Sequence, residues 1–287
     1  MDLDGFLWAR RRRLPFVAGL KGVIADELKN ERGWVRVLLA VQARWERTNA
    51  RRADVVIAPS RYSADVARRE YGVAAGKMAV VPEPIELERW TALFAAATPR
   101  PRGGPTILCV ARMYPRKRIG DLLEAAAFLR PRIPGVRVRI VGKGPEWGDA
   151  VRLHGTLGLG ETVALLGDVS RDRLAQEYVS ADFFCMPSLQ ESFGIVFLEA
   201  MAAGLPVVAC RAAAIPEVVE DGVTGLLVPP RDPEGLARAL EALIADPERA
   251  RAMGEAGRQA VRAYVPERVA TRFLEAVRLG LEGGQFR

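Results

Sequence analysis

The stretch ESFGIVFLEAMAAGLPVV, residues 191–208, holds two glutamates eight positions apart. Glu199 is the only charged residue between Ser192 and Cys210. A carboxylate inside an apolar helix is costly unless it is paired or hydrogen-bonded. Two readings are open for Glu199. It meets an arginine or backbone donors within the fold, or it accepts from the hydroxyl pair of a ligand, as acidic residues do with ribose. Gly194 opens the helical run GIVFLEAMAAG. A helix N-terminus presents N–H groups and partial positive charge, and a glycine there lets a phosphate come close.

Two further stretches carry chemistry. In VARMYPRKRIGDLL, Arg112 ends a strand and Lys117 stands at the start of the next helix. Both then lie at the carboxyl edge of a sheet, where two fixed cations suit a diphosphate. The plain alternative is an exposed basic loop, since Arg116 and Arg118 are basic too. In IVGKGPEWG the glycines are Gly142, Gly144 and Gly148, one residue off a dinucleotide fingerprint, and no acidic residue ends a strand about 20 residues later. NAD binding is therefore disfavoured, and Gly142 reads as a turn that lets the backbone approach a ligand.

These residues need elements to position them. TILCVAR, VRVRIVG, TVALLG, DFFCMPS, PVVAC and TGLLVPP are short apolar runs, each a strand, separated by helical segments. Continuous apolar strands alternating with helices predict a parallel sheet covered on both faces, doubly wound by right-handed crossovers. Its ligand site lies beyond the carboxyl ends of the strands. In the first third, DVVIAPS predicts a buried strand. Ser60 then caps the helix RYSADVARREYG, which ends at Gly72. KMAVVPEP predicts a strand broken by Pro82 and Pro84. Trp34, Leu38, Val41 and Trp45 recur at helical spacing, and the stripe predicts packing against the core. Residues 95–105, AAATPRPRGGP, have linker composition, which places a domain boundary near residue 100.

Composition narrows the function. The chain has 287 residues, 49% hydrophobic and 27% charged. No apolar run approaches the ~20 residues of a membrane span. The opening MDLDGFLWARRRRLPF lacks the apolar core of a secretory leader, which predicts a cytoplasmic protein. Cys109, Cys185 and Cys210 each sit in an apolar run and read as buried free thiols. No Cys/His spacing suggests a metal site. Residues 1–73 carry 15 Lys and Arg against 9 Asp and Glu. The charge excess admits an anionic membrane surface, an anionic ligand or merely a solvated face. Without a nucleic-acid motif or interleaved aromatics, nucleic acid is not an expected partner.

With VAR….K, IVGKGP, ADFFCMPS, ESFGIVFLE, GLPVVA, IPEVVEDGVTGLLVPPRD and RADVVIAPSRY in order, the chain resembles glycosyltransferase family 4 over roughly residues 50 to 280. The resemblance implies a retaining enzyme that uses a nucleoside-diphosphate sugar. It also implies an α/β GT-B fold of two Rossmann-like doubly wound domains, the N-terminal one incomplete here. The domains are then 1–98, on the acceptor side, and 99–287, on the donor side, with the last helix returning to the first domain. Position by position, Arg112 and Lys117 match the pair that binds the donor diphosphate. Glu191 matches the glutamate beside the donor sugar. Ser192, Phe193, Gly194 and Ile195 match the loop that meets sugar hydroxyls and phosphate, and Glu199 the glutamate holding the ribose. The implied partners are the nucleotide-sugar donor and a sugar, lipid or other small acceptor. A peripheral site on the inner membrane face fits the basic excess of residues 1–73. No cofactor and no metal is implied, the donor being a co-substrate. The alternatives are a nucleotide-sugar epimerase or hydrolase of the same fold, and a non-catalytic nucleotide-sugar-binding chain.

The pattern departs from the family toward the N-terminus. Only about 50 residues precede RADVVIAPS, where the family has some hundred more with a glycine-rich loop. The expectation is a late start at Met1 or a fragment, with an exposed sheet face and edge, and inactivity if half the catalytic wall is missing. The family's histidine near VAGLKG has no counterpart. Lys21 falls close by, while His154, the one histidine, reads as a surface or packing residue. VVPEPIE stands where the family commonly has IPNG.

Overall fold

The computed structural model describes residue 9 and residues 11–12, 14–31, 33–101 and 103–283. The reading of the first eight residues as no secretory leader lies outside the described residues. The chain divides into two compact units. The first holds residues up to Pro84, Glu191–Phe193, and residues from Tyr264 on; the second holds Ile85–Gln190 and Gly194–Ala263.

In the first unit, strands β1 (Val17–Gly19), β2 (Val55–Ala58) and β3 (Met78–Val80) form a parallel sheet in that order. Strand β2 is buried throughout, and alternation assigns its side chains to two cores. Val56 joins Leu20, Val23, Ala50, Val66 and Tyr71 on one face. Val55 and Ile57 join Val81 and Val269 on the other. The first face is covered by α1 (Gly33–Arg52) and by α2 (Arg61–Val66), which runs on as a π-helical turn to Tyr71. Ser60 accepts from the Ser63 N–H as the N-cap of α2, and Gly72 ends the element at φ 66°. The last helix of the chain, Pro266–Gly283, covers the second face. It comes so close that a Cβ on Gly280 would stand 2.4 Å from Val55 Cγ2. Both faces of this sheet are thus covered among the described residues, contrary to the exposed face expected from its short N-terminal part.

One reading of α1 fails. Trp34, Leu38, Val41 and Trp45 do not pack on the core: they are 77%, 51%, 47% and 47% exposed. The helix rests instead on the small or polar residues Ala43, Glu46, Asn49 and Ala50. Glu46 there accepts from Tyr71 Oη and from the Ile24 N–H at 2.9 Å, which satisfies a carboxylate that burial would otherwise disfavour. Helical periodicity reveals a stripe but not which side of the helix faces the protein.

The second unit has a six-stranded parallel sheet. Its strands are β4 (Thr106–Val110), β5 (Arg137–Val141), β6 (Val163–Gly167), β7 (Phe183–Met186), β8 (Val207–Cys210) and β9 (Gly225–Val228). The spatial order is β6-β5-β4-β7-β8-β9, so the winding reverses between β4 and β7. Strands β7 and β8 are buried at every position, which accounts for their unbroken apolar sequence. The three cysteines are buried and free. His154 is a packing residue, its Nε2 3.0 Å from the carbonyl of Val163.

The boundary also falls earlier than composition indicates. Residues 85–98 belong with the second unit. Their helix, α3 (Leu87–Ala96), stacks Trp90 and Phe94 on each other, with ring centroids 5.3 Å apart, and both rings meet Tyr178 edge-on. Linker composition marks irregular chain, whereas aromatic packing decides which core a segment joins.

Candidate functional site

The reversal of winding between β4 and β7 is where an open parallel sheet leaves a crevice. After β4 the backbone is tied on both sides. The Met113 N–H donates to the Lys143 carbonyl at 3.1 Å, and the Leu189 N–H donates to the Arg116 carbonyl at 2.8 Å. Ser188 Oγ reaches the same carbonyl at 3.2 Å. The loops after β4, β5 and β7 are therefore one hydrogen-bonded surface at the carboxyl edge.

That surface carries the expected cations. Arg112 is exposed directly after β4, and Lys117 closes a 3-10 turn, Pro115–Lys117, before helix α4 (Ile119–Leu129). The Arg112 and Arg116 guanidinium carbons stand 5.9 and 4.9 Å from the centre of the Tyr114 ring. Tyr114 thus seats two cations through its ring face, a role sequence inspection missed. Lys117 lies close enough to Cys109 for its charge to work against the burial that pushes that thiol up to about 12. Arg118 points elsewhere and is engaged with Asp121 at the start of α4.

Gly142 has a reason beyond ligand approach. Its φ is 110°, and a Cβ there would stand 2.2 Å from the Ala111 carbonyl oxygen. A Cβ on Gly144 would likewise meet the Met113 backbone at 2.7 Å. Both glycines let the loop after β5 lie against the loop carrying Arg112.

From β7 the chain reaches helix α7 (Ile195–Ala202) through Ser188 and Gln190, 0% and 5% exposed. (Counting in chain order, α5 is Trp147–Thr156 and α6 is Arg171–Val179.) Gly194 caps α7 in the left-handed region at φ 92°, with no capping side chain. The Phe197 N–H turns back to the Gly194 carbonyl at 3.0 Å, and with no capping side chain this end of α7 presents its partial positive charge in the arrangement that receives an anion. Ile195 is exposed at this end, while Phe197 and Leu198 anchor the helix in the core.

Glu199 lies one turn in and is half-buried. Its Oε2 accepts from Tyr178 Oη at 2.9 Å. Burial raises the Glu199 pKa, and the Tyr178 hydrogen bond and the charge of Arg171 offset part of this. Of the two readings open for Glu199, the arginine-or-backbone partner is replaced by a tyrosine hydroxyl on α6. Tyr178 is itself fully buried, between Trp90, Phe94 and Phe184. It is the second residue missed, since nothing in SRDRLAQEYVS marks that tyrosine.

Glu191, Ser192 and Phe193 group with the first unit. The Ser192 carbonyl accepts from Ser60 Oγ at 2.7 Å and from Ser63 Oγ at 3.1 Å. Gly22 leaves room for the Ser192 side chain, whose Oγ would stand 2.8 Å from an added Cβ. Phe193 packs edge-on against Tyr264 at 5.6 Å, and Glu191 is 9% exposed. Lys21 Nζ bonds both Glu83 oxygens, at 2.9 and 2.8 Å. Among the described residues, no group of three or more His, Cys, Asp or Glu could hold a metal ion.

The family described as Glycosyl transferases group 1 matches residues 93–260, and Glycosyltransferase Family 4 matches residues 2–89. The chain belongs to this glycosyltransferase family, with the GT-B fold of two parallel-sheet α/β domains. Among curated relatives, a GDP-mannose-dependent alpha-(1-6)-phosphatidylinositol monomannoside mannosyltransferase of Mycolicibacterium smegmatis is 35% identical over 257 residues, 84% of this chain and 65% of the relative. A D-inositol 3-phosphate glycosyltransferase of Nocardia farcinica is 37% identical, over 64% of this chain and 43% of its own length. The chain thus spans about two thirds of the first relative and less than half of the second. Among solved structures, sucrose-phosphate synthase from Thermosynechococcus elongatus superposes with a TM-score of 0.76 at 28% identity, over 96% of this chain and 71% of that one.

Proposed function

We propose that the protein transfers a sugar from a nucleoside-diphosphate sugar to an acceptor, with retention at the transferred carbon. The observation that carries this is the crevice edge of the second unit. There Arg112, Lys117 and an uncapped α7 N-terminus offer positive charge, and Glu199, on the same helix, is held by Tyr178. Breaking the bond between sugar and phosphate leaves negative charge on the departing diphosphate. Arg112, Lys117 and the α7 N–H groups would stabilise that charge. Glu199 would accept from the ribose hydroxyls. Glu191, three residues before Gly194, would bear on the donor sugar, with Ser192 and Phe193 shaping the loop. In a same-face reaction the leaving phosphate takes the acceptor proton, so Glu191 need not act as a nucleophile. No cofactor is required in this scheme.

The relative from M. smegmatis is GDP-mannose-dependent and acts on a phosphatidylinositol mannoside. That likeness makes GDP-mannose the first donor to try and a mannosylated lipid the first acceptor. The basic excess of residues 1–73 supports a location at the inner face of a membrane. No helix of the described residues is long and apolar enough to cross one.

The test is thermal unfolding with GDP, UDP and ADP, on the parent and on Glu199→Gln. A nucleotide at about 100 times its dissociation constant adds about 2.7 kcal/mol. One nucleotide is expected to raise the Tm of the parent and not of Glu199→Gln. Release of that nucleotide from its sugar, dependent on acceptor, then establishes transfer. Release without acceptor would favour a hydrolase or epimerase, and binding without turnover a non-catalytic chain.

A further inference from the structure

Both sheets of this chain are parallel, and ligands gather beyond the carboxyl ends of parallel strands. The carboxyl edge of the first sheet carries its own polar cluster, of which the proposed transfer uses only the Ser192 loop. Lys21 follows β1, Ser60 follows β2 and Glu83 follows β3. The order β1-β2-β3 puts β1 and β3 on either side of β2, roughly 10 Å apart. The bond from Lys21 to Glu83 therefore crosses the carboxyl end of β2, where Ser60 and Ser63 hold the Ser192 carbonyl. Gly22, next to Lys21, lies against two more polar groups. An added Cβ there would stand 2.8 Å from Ser192 Oγ and 3.0 Å from Glu27 Oε1. All of these residues belong to the first unit.

Exposed ion pairs add little stability. Two features set this one apart. The Lys21 side chain is 84% exposed and that of Glu83 16%. Pro82 and Pro84 flank Glu83 and restrict its backbone. A largely enclosed, rigidly placed carboxylate thus holds a lysine in the open. An ammonium has three N–H donors and a carboxylate about four acceptor sites. Lys21 Nζ donates to both Glu83 oxygens, so one N–H and part of the acceptor capacity remain side by side. The two charges cancel, and a phosphate gains little there. Two adjacent hydroxyls, by contrast, find a donor for one and an acceptor for the other.

We propose that Lys21 and Glu83 form a hydroxyl-reading pair for a pyranose ring. Lys21 donates to one hydroxyl oxygen, and Glu83 accepts from the neighbouring hydroxyl. Glu83 is also the positioning residue for Lys21. Ser192 Oγ and Glu27 Oε1, against Gly22, extend the same hydrogen-bonding edge. The inference rests on the sugar-transfer reading and deepens it by naming what the first unit recognises, a neutral sugar ring. That ring is either the transferred sugar or the acceptor's.

The test is ligand-observed NMR titration of the full chain with GDP, with GDP-mannose, and with methyl α-mannoside added to the GDP-bound chain. UDP, UDP-glucose and methyl α-glucoside replace them if UDP is the nucleotide that stabilises the chain. Lys21→Met is expected to weaken binding of one sugar-bearing ligand about tenfold and to leave binding of the nucleotide alone unchanged. Loss with GDP-mannose assigns the ring to the donor, and loss with methyl α-mannoside assigns it to the acceptor. Glu83→Gln is expected to weaken the same ligand severalfold, and the double variant no more than Lys21→Met, because the two residues share one network. A deoxy analogue lacking one of the two hydroxyls is expected to bind the parent about tenfold more weakly, and that penalty should vanish in Lys21→Met. Tm is expected to stay within about 2 °C of the parent in every variant. If the parent binds no nucleotide, the sugar-transfer reading fails and the inference falls with it. If the variants bind every ligand as well as the parent does, that reading stands and the pair is a surface ion pair only. If the nucleotide alone weakens as much as its sugar form, or Tm falls steeply, the pair braces the fold. Either of these last two results overturns the inference.

Discussion

At Glu199 the fold holds a half-buried carboxylate whose Oε2 accepts from Tyr178 Oη at 2.9 Å. Burial raises its pKa. A carboxylate with a raised folded pKa costs stability when ionised, and the cost fades as pH falls through that pKa. Glu199→Gln is therefore expected to raise the Tm of the unliganded chain at neutral pH by about 2 °C while abolishing stabilisation by nucleotide. A lower Tm would mean that the charge itself serves the fold. If Glu199 accepts from the ribose hydroxyls as proposed, donor binding needs its ionised form and is expected to be lost as pH falls. Tyr178→Phe removes an offsetting hydrogen bond, and it should move that loss to higher pH and raise KM for the donor more than it lowers kcat. An unmoved pH profile would remove Tyr178 from the positioning of Glu199. Lys117→Ala should act differently. If Lys117 stabilises the leaving diphosphate, kcat falls about 10²- to 10³-fold, with a smaller change in KM.

Among the elements, those at the carboxyl edge are assembled by backbone contacts that glycine permits. Gly142 sits at φ 110° with the Ala111 carbonyl where a Cβ would be. Gly142→Ala is expected to cost about 1–3 kcal/mol and lower Tm by about 5 °C without any ligand present. Unchanged stability, measured by thermal unfolding, would return Gly142 to a role in ligand approach only. The strands of both sheets were legible as apolar runs, because a parallel strand buried on both faces leaves no room for alternation. Ser60 was legible as a cap because the cap is local. Its bond to the Ser192 carbonyl joins residues 132 positions apart, and no local pattern encodes that. The cations after β4 were legible from their place at a strand end, while Tyr114 and Tyr178 became apparent only once rings could be placed. The stripe on α1 was legible and its side was not, since small residues can bury a helix as well as large ones.

At the scale of the whole molecule, the charge excess lies in residues 1–73, while in the second unit one buried carboxylate gathers three arginines. Glu177, 1% exposed, accepts from Arg139 at 2.6 and 3.0 Å, from Arg100, and lies 3.0 Å from Arg173. Three arginines from a connecting segment, a strand and a helix thus converge on one residue of α6, which also carries Tyr178. Burial works to raise the Glu177 pKa, but the hydrogen bonds and charges of Arg139 and Arg100 prevail and hold it down to about 2, from an ordinary 4.5. A depressed folded pKa contributes stability that is full above the unfolded value and is lost as pH falls from about 4.5 toward 2. The contribution is roughly 3 kcal/mol at neutral pH. Glu177→Gln leaves the half-buried guanidinium groups of Arg100 and Arg139 facing a neutral amide. It is expected to destabilise the chain by about 3–5 kcal/mol at pH 7, with the difference from the parent shrinking steadily below pH 4.5. Denaturant unfolding of both proteins from pH 7 down to 3 measures this directly. A gap that stayed constant across that range would mean that shape and hydrogen bonding, rather than the charge of Glu177, hold the three arginines in place.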